Sequence, residues 1–199
     1  MKNLRNYFLP LVALFVIFSL TGAYAQSNPS DPLPVDPKVK IGKLDNGLTY
    51  FIRKNKMPEN KVELRLVVNA GSILEDDDQL GLAHMAEHMA FNGTKNFKEN
   101  DIISYLRSIG VGFGNDLNAY TSFNETVYML PIPTDKPGNV EKGFQILEDW
   151  AHQVTYNDKD IDEERNVILE ESRLGQGAQE RMRRVWLPKL FEGSKYADR

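Results

Sequence analysis

The order of the apolar segments is the feature that most constrains the fold of this chain. Residues 39–54 and 61–70 have the alternation typical of strands, and residues 117–130 are rich in Thr, Tyr, Phe and Val, as expected for one or two more strands. Apolar residues at helical spacing mark four other segments, at 79–91, 99–109, 138–154 and 158–174. Strands and helices therefore come in runs and do not strictly alternate. This order predicts an α+β fold, with helices packed on one face of an antiparallel or mixed sheet in two layers.

Turn and cap residues separate these segments. Asp45-Asn46-Gly47 is a hairpin-turn sequence inside the first strand region. Gly110 follows the second helical segment at the position of a left-handed cap. With 199 residues, the chain is long enough for one domain with a proper core and too short for two large ones.

The first 25 residues differ in kind from the rest. Lys2 and Arg5 give a positive start, an apolar run of about a dozen residues follows, and Ala23-Tyr24-Ala25 is a small-x-small cleavage site. The apolar run is shorter than the ~20 residues that a bilayer-spanning helix needs. We therefore predict a signal peptide over residues 1–25 and an exported protein, located in the periplasm of a bacterium or outside the cell.

Residues 26–38 are predicted to form an extended, Pro-rich linker, because four prolines fall between positions 29 and 37. Residues 39–199 are predicted to form the folded domain. Residues 26–199 contain 28 acidic and 22 basic side chains, a balance that gives no reason to expect a nucleic-acid partner. The chain has no cysteine, so a transition metal would have to be held by His, Asp and Glu.

Two of the three histidines lie four residues apart in the stretch GLAHMAEHM, residues 81–89. Because each helical residue advances by about 100°, His84, Glu87 and His88 point to the same side, and the apolar residues of the stretch occupy the other side. Two imidazoles one turn apart can both reach a single ion, which is the arrangement that zinc takes on a helix. The stretch therefore predicts a site for one zinc ion, with both histidines as ligands.

A catalytic zinc ion commonly keeps three protein ligands and one water, so a third ligand is needed. His152 is the remaining histidine, and we expect it to be a surface or packing residue. On the 158–174 helix, Glu164 and Glu171 fall within a stripe of three apolar residues, Val167, Ile168 and Leu174. Because an unpaired carboxylate is costly in a buried stripe, we predict that Glu171 is the third ligand. Glu164 is predicted to orient a ligand histidine by a hydrogen bond.

These residue types at this spacing predict a reaction. A zinc ion held by them would activate a water molecule and polarise a carbonyl group. Glu87 would lie beside that water without being a ligand, so it can take the proton as general base and pass it to a departing amine. The predicted reaction is metal-assisted hydrolysis of peptide bonds.

The segment GLAHMAEHMAFNGT, residues 81–94, resembles the active-site helix of the pitrilysin/insulinase family of zinc peptidases. This family, which includes the mitochondrial processing peptidase, carries the inverted motif HxxEH. Residues 164–171 match the family's later ERxxxxxE segment. The resemblance implies a zinc metalloendopeptidase or oligopeptidase, with Glu171 as third ligand and Glu164 as accessory acid. Ala86 is smaller than the bulky aliphatic residue usual at its position, which bears only on packing.

Residues 118–128, NAYTSFNETVY, resemble the family's NAxT strand, whose exposed edge pairs with the substrate backbone. The resemblance implies that Asn118, Ala119 and Thr121 bind a peptide or unfolded protein by strand addition. Family members continue into further strands and a second, similar half that helps to enclose the substrate. The resemblance therefore implies that residues 39–199 are the N-terminal, zinc-binding part of a larger peptidase. The second half would belong to the same longer chain or to another subunit.

Three other functions are consistent with parts of this pattern. The chain could be a non-catalytic scaffold or partner half of a two-part peptidase of the same family. S-ribosylhomocysteine lyase also has an HxxEH helix, but that enzyme uses a cysteine, which this chain lacks. A pure peptide-binding module would keep all of its function in a Glu87→Gln variant.

Overall fold

The computed structural model describes Ser30, residues 32–112, Gly114 and residues 118–199. The predicted signal peptide, residues 1–25, lies outside these ranges. The described part of the predicted linker, up to residue 38, is exposed and contains no helix or strand. Within the described ranges, no helix combines the length and the apolar character needed to cross a membrane.

The described residues form two compact units, the first of which ends at Lys56. This unit contains an antiparallel hairpin of β1 (Val39–Lys43) and β2 (Thr49–Arg53). The predicted turn at Asp45-Asn46-Gly47 is confirmed, since it joins these two strands. Gly47 has a φ of 92°, in the left-handed region that glycine adopts without steric cost.

The second unit begins at Met57 and contains a sheet and five helices. The sheet is antiparallel, with the strand order β3-β5-β4, and consists of β3 (Lys61–Val68), β4 (Asn118–Thr121) and β5 (Thr126–Pro133). The helices are α1 (Leu82–Asn92), α2 (Asp101–Ser108), α3 (Asn139–His152), α4 (Asp158–Leu174) and α5 (Ala178–Leu190). Short 3-10 turns lie at Ser72–Leu74 and Lys195–Asp198. This arrangement confirms the predicted α+β fold.

The strand register determines which sheet face meets the helices. Leu64 lies opposite Leu130 and Leu66 opposite Tyr128, so these side chains share one face of the sheet. That face forms the core with side chains of three helices, namely Ala90, Ile102, Leu106, Ile146 and Trp150. Val67, on the opposite face, is half exposed. The prediction that helices pack on one face of the sheet is confirmed.

Several predicted element boundaries agree with the structure. Helix α4 begins and ends at the predicted residues, and Gly110 has the predicted left-handed conformation, with a φ of 82°. Helix α1 begins three residues later than predicted, because Gly81 precedes it with a left-handed φ of 93° that a helix cannot include. The region 117–130 contains two strands, joined by a tight turn in which Ser122 N–H donates to the Glu125 carbonyl over 2.8 Å.

Candidate metal centre

Helix α1 is fixed against the core by its C-terminal half. Met89 and Ala90 are fully buried. The indole N–H of Trp150, on α3, donates to the Ala90 carbonyl over 2.9 Å. These contacts fix the rotation of α1 about its axis, and His84 and His88 consequently contact side chains of α4.

The N-terminus of α1 is capped by Glu75, a buried residue that precedes the helix. One carboxylate oxygen accepts from Gly81 N–H over 3.0 Å, and the other accepts from Ala83 N–H over 2.8 Å. Backbone N–H groups of a first helical turn have no partner within the helix, and a negative charge at this end is favourable. Glu75 therefore fixes the start of the helix at Leu82, two residues before the first histidine.

Three potential ligand atoms converge between α1 and α4. The Nε2 atoms of His84 and His88 are 3.0 Å apart. Glu171 Oε2 lies 3.7 Å from His84 Nε2 and 3.5 Å from His88 Nε2. The edge of a tetrahedron with metal–ligand bonds of ~2.0–2.1 Å is about 3.3–3.4 Å, so these atoms outline one tetrahedral face of the size that zinc takes. The side chains of His84 and Glu171 are 40% and 50% exposed, so water can reach the site.

Glu164 contacts the second ring nitrogen of His88. His88 Nδ1 lies 2.6 Å from Glu164 Oε1, and the Asn92 amide donates to Glu164 Oε2 over 2.9 Å. Because a carboxylate accepts, this contact places the imidazole proton on Nδ1 and leaves the Nε2 lone pair directed toward His84 and Glu171. The structure thus brings Glu164 to the position from which it can orient a ligand histidine, the role predicted for it from sequence.

The prediction of a buried apolar stripe on α4 is wrong. No residue of this helix is buried, and Val167 and Leu174 are 45% and 69% exposed. The partly buried residues recur at the spacing of one helical face and are Asp160, Ile161, Glu164 and Ile168. Helix α4 lies against α1 along this narrow face, so the carboxylates face the histidines without entering an apolar core.

Glu87 faces the sheet, not α4. Its side chain is buried, and Thr121 on β4 donates its hydroxyl hydrogen to Glu87 Oε2 over 2.6 Å. Burial, and secondarily the charge of Glu87, raises the pKa of the Tyr128 phenol well above its ordinary value. Tyr128 is therefore neutral at physiological pH. Its ring stacks on Trp150 at 5.2 Å, which joins this side of the site to the core.

The three residues predicted to bind substrate lie together on β4, which in the described part of the chain pairs only with β5. Ser122 directs its N–H toward β5, so by alternation the backbone N–H and C=O groups of Ala119 and Thr121 point to the open edge. The Asn118 side-chain oxygen accepts from Ala119 N–H over 2.9 Å. The side chain of Thr121 is directed to Glu87, whereas its backbone lies at this edge.

Sequence reasoning missed three residues that support the site. Asn92 lies four residues after His88, so helical spacing could have identified it. Glu75 accepts hydrogen bonds from backbone N–H groups, which nearly every residue has, so no sequence pattern identifies it as a cap. Asp149 is fully buried on α3 and accepts hydrogen bonds from Asn96 N–H over 3.0 Å and from the Thr94 hydroxyl. These two hydrogen bonds hold the loop that follows α1.

His152 lies apart from the metal-binding side chains. It is exposed at the end of α3, and its Nδ1 lies 2.8 Å from the Glu148 carbonyl oxygen. The donor set of His84, His88 and Glu171 has all its ligand atoms within 4.8 Å of one another. Two imidazole nitrogens and one carboxylate oxygen are a common protein ligand set for catalytic zinc, so the residues present fit that ion.

A family model described as Insulinase (Peptidase family M16) matches residues 50–189. The chain belongs to this insulinase family. The matched range contains the whole metal-binding cluster and β4. The family predicted from the sequence motifs is thereby confirmed.

This insulinase-family chain is similar to longer zinc proteases. It is 47% identical over 163 residues to the probable zinc protease PqqL of Haemophilus influenzae, a match covering 81% of this chain and 18% of that protein. The probable zinc protease PqqL of Escherichia coli is 41% identical over 84% of this chain and 18% of its own length. The chain therefore spans about a fifth of the curated relatives it matches.

The fold of the insulinase-family chain matches a solved structure. The first half of the periplasmic protease PqqL from Escherichia coli superimposes with a TM-score of 0.81 at 41% identity, covering 85% of this chain and 36% of that one. The described fold thus matches part of the first half of that protease. These comparisons support a peptidase of the insulinase family.

Proposed function

We propose that this chain carries the metal centre of an exported zinc-dependent endopeptidase or oligopeptidase. The observation that supports this proposal most is the convergence of His84, His88 and Glu171. Their ligand atoms are spaced like the corners of a zinc tetrahedron, and Glu87 lies on the adjoining side of the same helix. One zinc ion per chain would be held by these three side chains. When bound, zinc supplies a Lewis acid that polarises the scissile carbonyl and makes water more acidic.

The protein's own groups prepare and complete the proton transfers. Glu164 holds the proton on His88 Nδ1, so that Nε2 keeps its lone pair for the ion. Glu87 takes a proton from the attacking water and returns it to the nitrogen of the departing amine.

The substrate is a peptide or an unfolded protein that adds as a strand to the open edge of β4. The backbone groups of Thr121 and the carbonyl of Ala119 point to that edge, whereas Ala119 N–H donates to the Asn118 side-chain oxygen. Asn118 is exposed at the start of the strand. Strand addition gives affinity through main-chain hydrogen bonds, so it suits substrates of varied sequence. It also places a backbone carbonyl close to the helix that carries Glu87, because α1 packs beside β4.

Two further features of the function are also proposed. Export rests on the pattern of residues 1–25 and on the similarity to a protein described as a periplasmic protease. A second, similar half completes the substrate chamber, since the similar structure is the first half of such a protease. In this arrangement residues 26–38 connect the signal peptide to the peptidase domain.

Metal analysis combined with cleavage of a quenched fluorescent peptide tests the proposal. The chain as given and a chain that continues past Arg199 would be compared, each with a Glu87→Gln variant and with Glu163→Gln, an exposed glutamate of α4, as matched control. We expect one zinc per chain throughout. Because Glu87→Gln removes the general base, its kcat should be about 10²–10⁴-fold lower than that of the wild type. The kcat of Glu163→Gln should equal that of the wild type.

The alternative is a non-catalytic scaffold or partner half of a two-part peptidase. This alternative predicts stoichiometric zinc without peptide cleavage in both the shorter and the longer chain. Cleavage that persists in Glu87→Gln would instead remove the general-base assignment.

A further inference from the structure

The side chain of Thr121 links the strand edge to the proposed general base. Its hydroxyl oxygen lies 2.6 Å from Glu87 Oε2, a distance typical of a strong, charge-assisted hydrogen bond. The two residues are 34 positions apart in the sequence, so this contact exists only because β4 packs beside α1. Glu87 is buried, which makes the hydrogen bond less sensitive to water and salt.

Neighbouring groups determine the direction of this hydrogen bond. The Thr126 hydroxyl lies 3.4 Å from Thr121 Oγ1, but it donates its own hydrogen to the Ala70 carbonyl over 3.0 Å. A threonine hydroxyl has a single hydrogen, and a carboxylate can only accept. Thr121 therefore donates to Glu87, and the Thr126 hydroxyl has no hydrogen left for the Thr121 oxygen.

The position of Thr121 in the strand restricts the orientation of its side chain. Thr121 lies opposite Thr126 in the register of β4 and β5, one residue before the tight turn. A β-branched side chain on a strand has few accessible χ1 rotamers. The hydroxyl is consequently a rigid donor, and it engages one carboxylate oxygen of Glu87 while leaving the other, Oε1, to accept a proton.

We propose that Thr121 is a positioning residue for Glu87, so that the strand that receives the substrate backbone also orients the general base. This proposal rests on the proposed function. It assigns the two parts of Thr121 to different tasks: the backbone at the β4 edge binds substrate, and the side chain aligns the base. A carboxylate displaced by about 1 Å from its productive position can cost on the order of a hundredfold in rate.

The test compares Thr121→Val, which removes the hydroxyl at nearly constant shape, with Thr121→Ser, which retains it. Thr134→Val, at an exposed threonine just beyond β5, is the matched control. Each substitution is made in the wild-type and Glu87→Gln backgrounds, in the chain as given and in the chain that continues past Arg199. Zinc content, kcat and KM for a quenched fluorescent peptide, and a crystal structure of each Thr121 variant are measured.

In Thr121→Val we expect kcat to fall by about ten- to a hundredfold with unchanged zinc content and KM, and Thr121→Ser to recover most of the loss. In the Glu87→Gln background, Thr121→Val should cause no further loss, because it acts through Glu87. The crystal structure should show the Glu87 carboxylate rotated in Thr121→Val and unmoved in Thr121→Ser.

Other outcomes overturn the proposal. A rise in KM at constant kcat would show that the Thr121 side chain binds substrate. An equal further loss in the Glu87→Gln background would show that it acts independently of Glu87. A Glu87 carboxylate that keeps its position in Thr121→Val would exclude the positioning role even if no form of the chain cleaves peptides. If Glu87→Gln alone leaves kcat unchanged, the proposed general base fails first, and the role of Thr121 fails with it.

Discussion

The Nδ1 atom of His88 and the Oε1 atom of Glu164 are 2.6 Å apart, and both side chains are only 17% exposed. A hydrogen bond to a carboxylate at this depth fixes both the tautomer and the ring orientation of the histidine. Glu164 is itself held by the Asn92 amide, one helical turn beyond His88. The imidazole is thus oriented before any ion binds.

Replacing this carboxylate by an amide should weaken metal binding. In Glu164→Gln, the contact loses its charge, and the amide can present its NH₂ group to Nδ1. We expect zinc affinity to fall by about 10–100-fold, as is typical for such supporting partners. Competition with a chelator of known affinity at constant pH measures the change. Glu163→Gln, the neighbouring exposed residue, should keep wild-type affinity, and an equal loss in both variants would contradict the assignment.

Two adjacent glutamates of α4 should differ sharply in their effect on zinc. Glu171 points to the imidazoles, whereas Glu170 bonds to the Arg173 guanidinium, whose hydrogen bond lowers the pKa of Glu170. Glu171→Ala should weaken zinc binding by more than the roughly 10–100-fold expected of a supporting residue, because a ligand is removed. Glu170→Ala should bind zinc normally. Isothermal titration of the metal-free variants provides the comparison, and similar affinities would exclude Glu171 as a ligand.

The cap of α1 should contribute to stability independently of the metal. Glu75→Gln removes the charge that accepts from Gly81 and Ala83 N–H groups. We expect the free energy of unfolding of the metal-free protein to fall by about 1–2 kcal/mol, in the range measured for lost helix caps. Denaturant unfolding followed by circular dichroism measures it. Asp78→Asn, at an exposed residue of the same loop, should be neutral, and equal midpoints for the two variants would argue against the cap.

Tyr128 should make the protein sensitive to alkaline pH. Burial, together with the charge of Glu87, raises the folded-state pKa of its phenol above the value of ~10 in the unfolded chain. Tyr128 therefore makes its full contribution to the free energy of unfolding below pH ~10. This contribution is lost as the pH rises further, at up to about 1.4 kcal/mol per pH unit.

Comparison of wild type with Tyr128→Phe tests this effect. The free energy of unfolding is measured at pH 9 and pH 11, and the loss between these values should be smaller in the variant. An identical loss in both proteins would show that other groups account for the alkaline sensitivity.

Sequence alone determined the features that depend on local geometry. The rise and turn of a helix are set by its own backbone hydrogen bonds, so the spacing of His84 and His88 was sufficient to predict that they share a side. Glu87 was predicted to point the same way, but it faces the sheet on the adjoining side of the helix. The same regularity correctly gave the bounds of α4 and the relative directions of Glu164 and Glu171. Turn chemistry gave the hairpin at Asp45-Asn46-Gly47 for an equally local reason.

Only the tertiary structure decided how these elements meet. The sequence placed Val167 and Leu174 in a buried stripe, but the packing of α1 against α4 turned the carboxylates inward and left those apolar residues exposed. The contact between Thr121 and Glu87 also joins residues 34 positions apart, which no local pattern connects. Helix rotation and strand register are set by side chains distant in the sequence, and each such contact depends on all the others being formed.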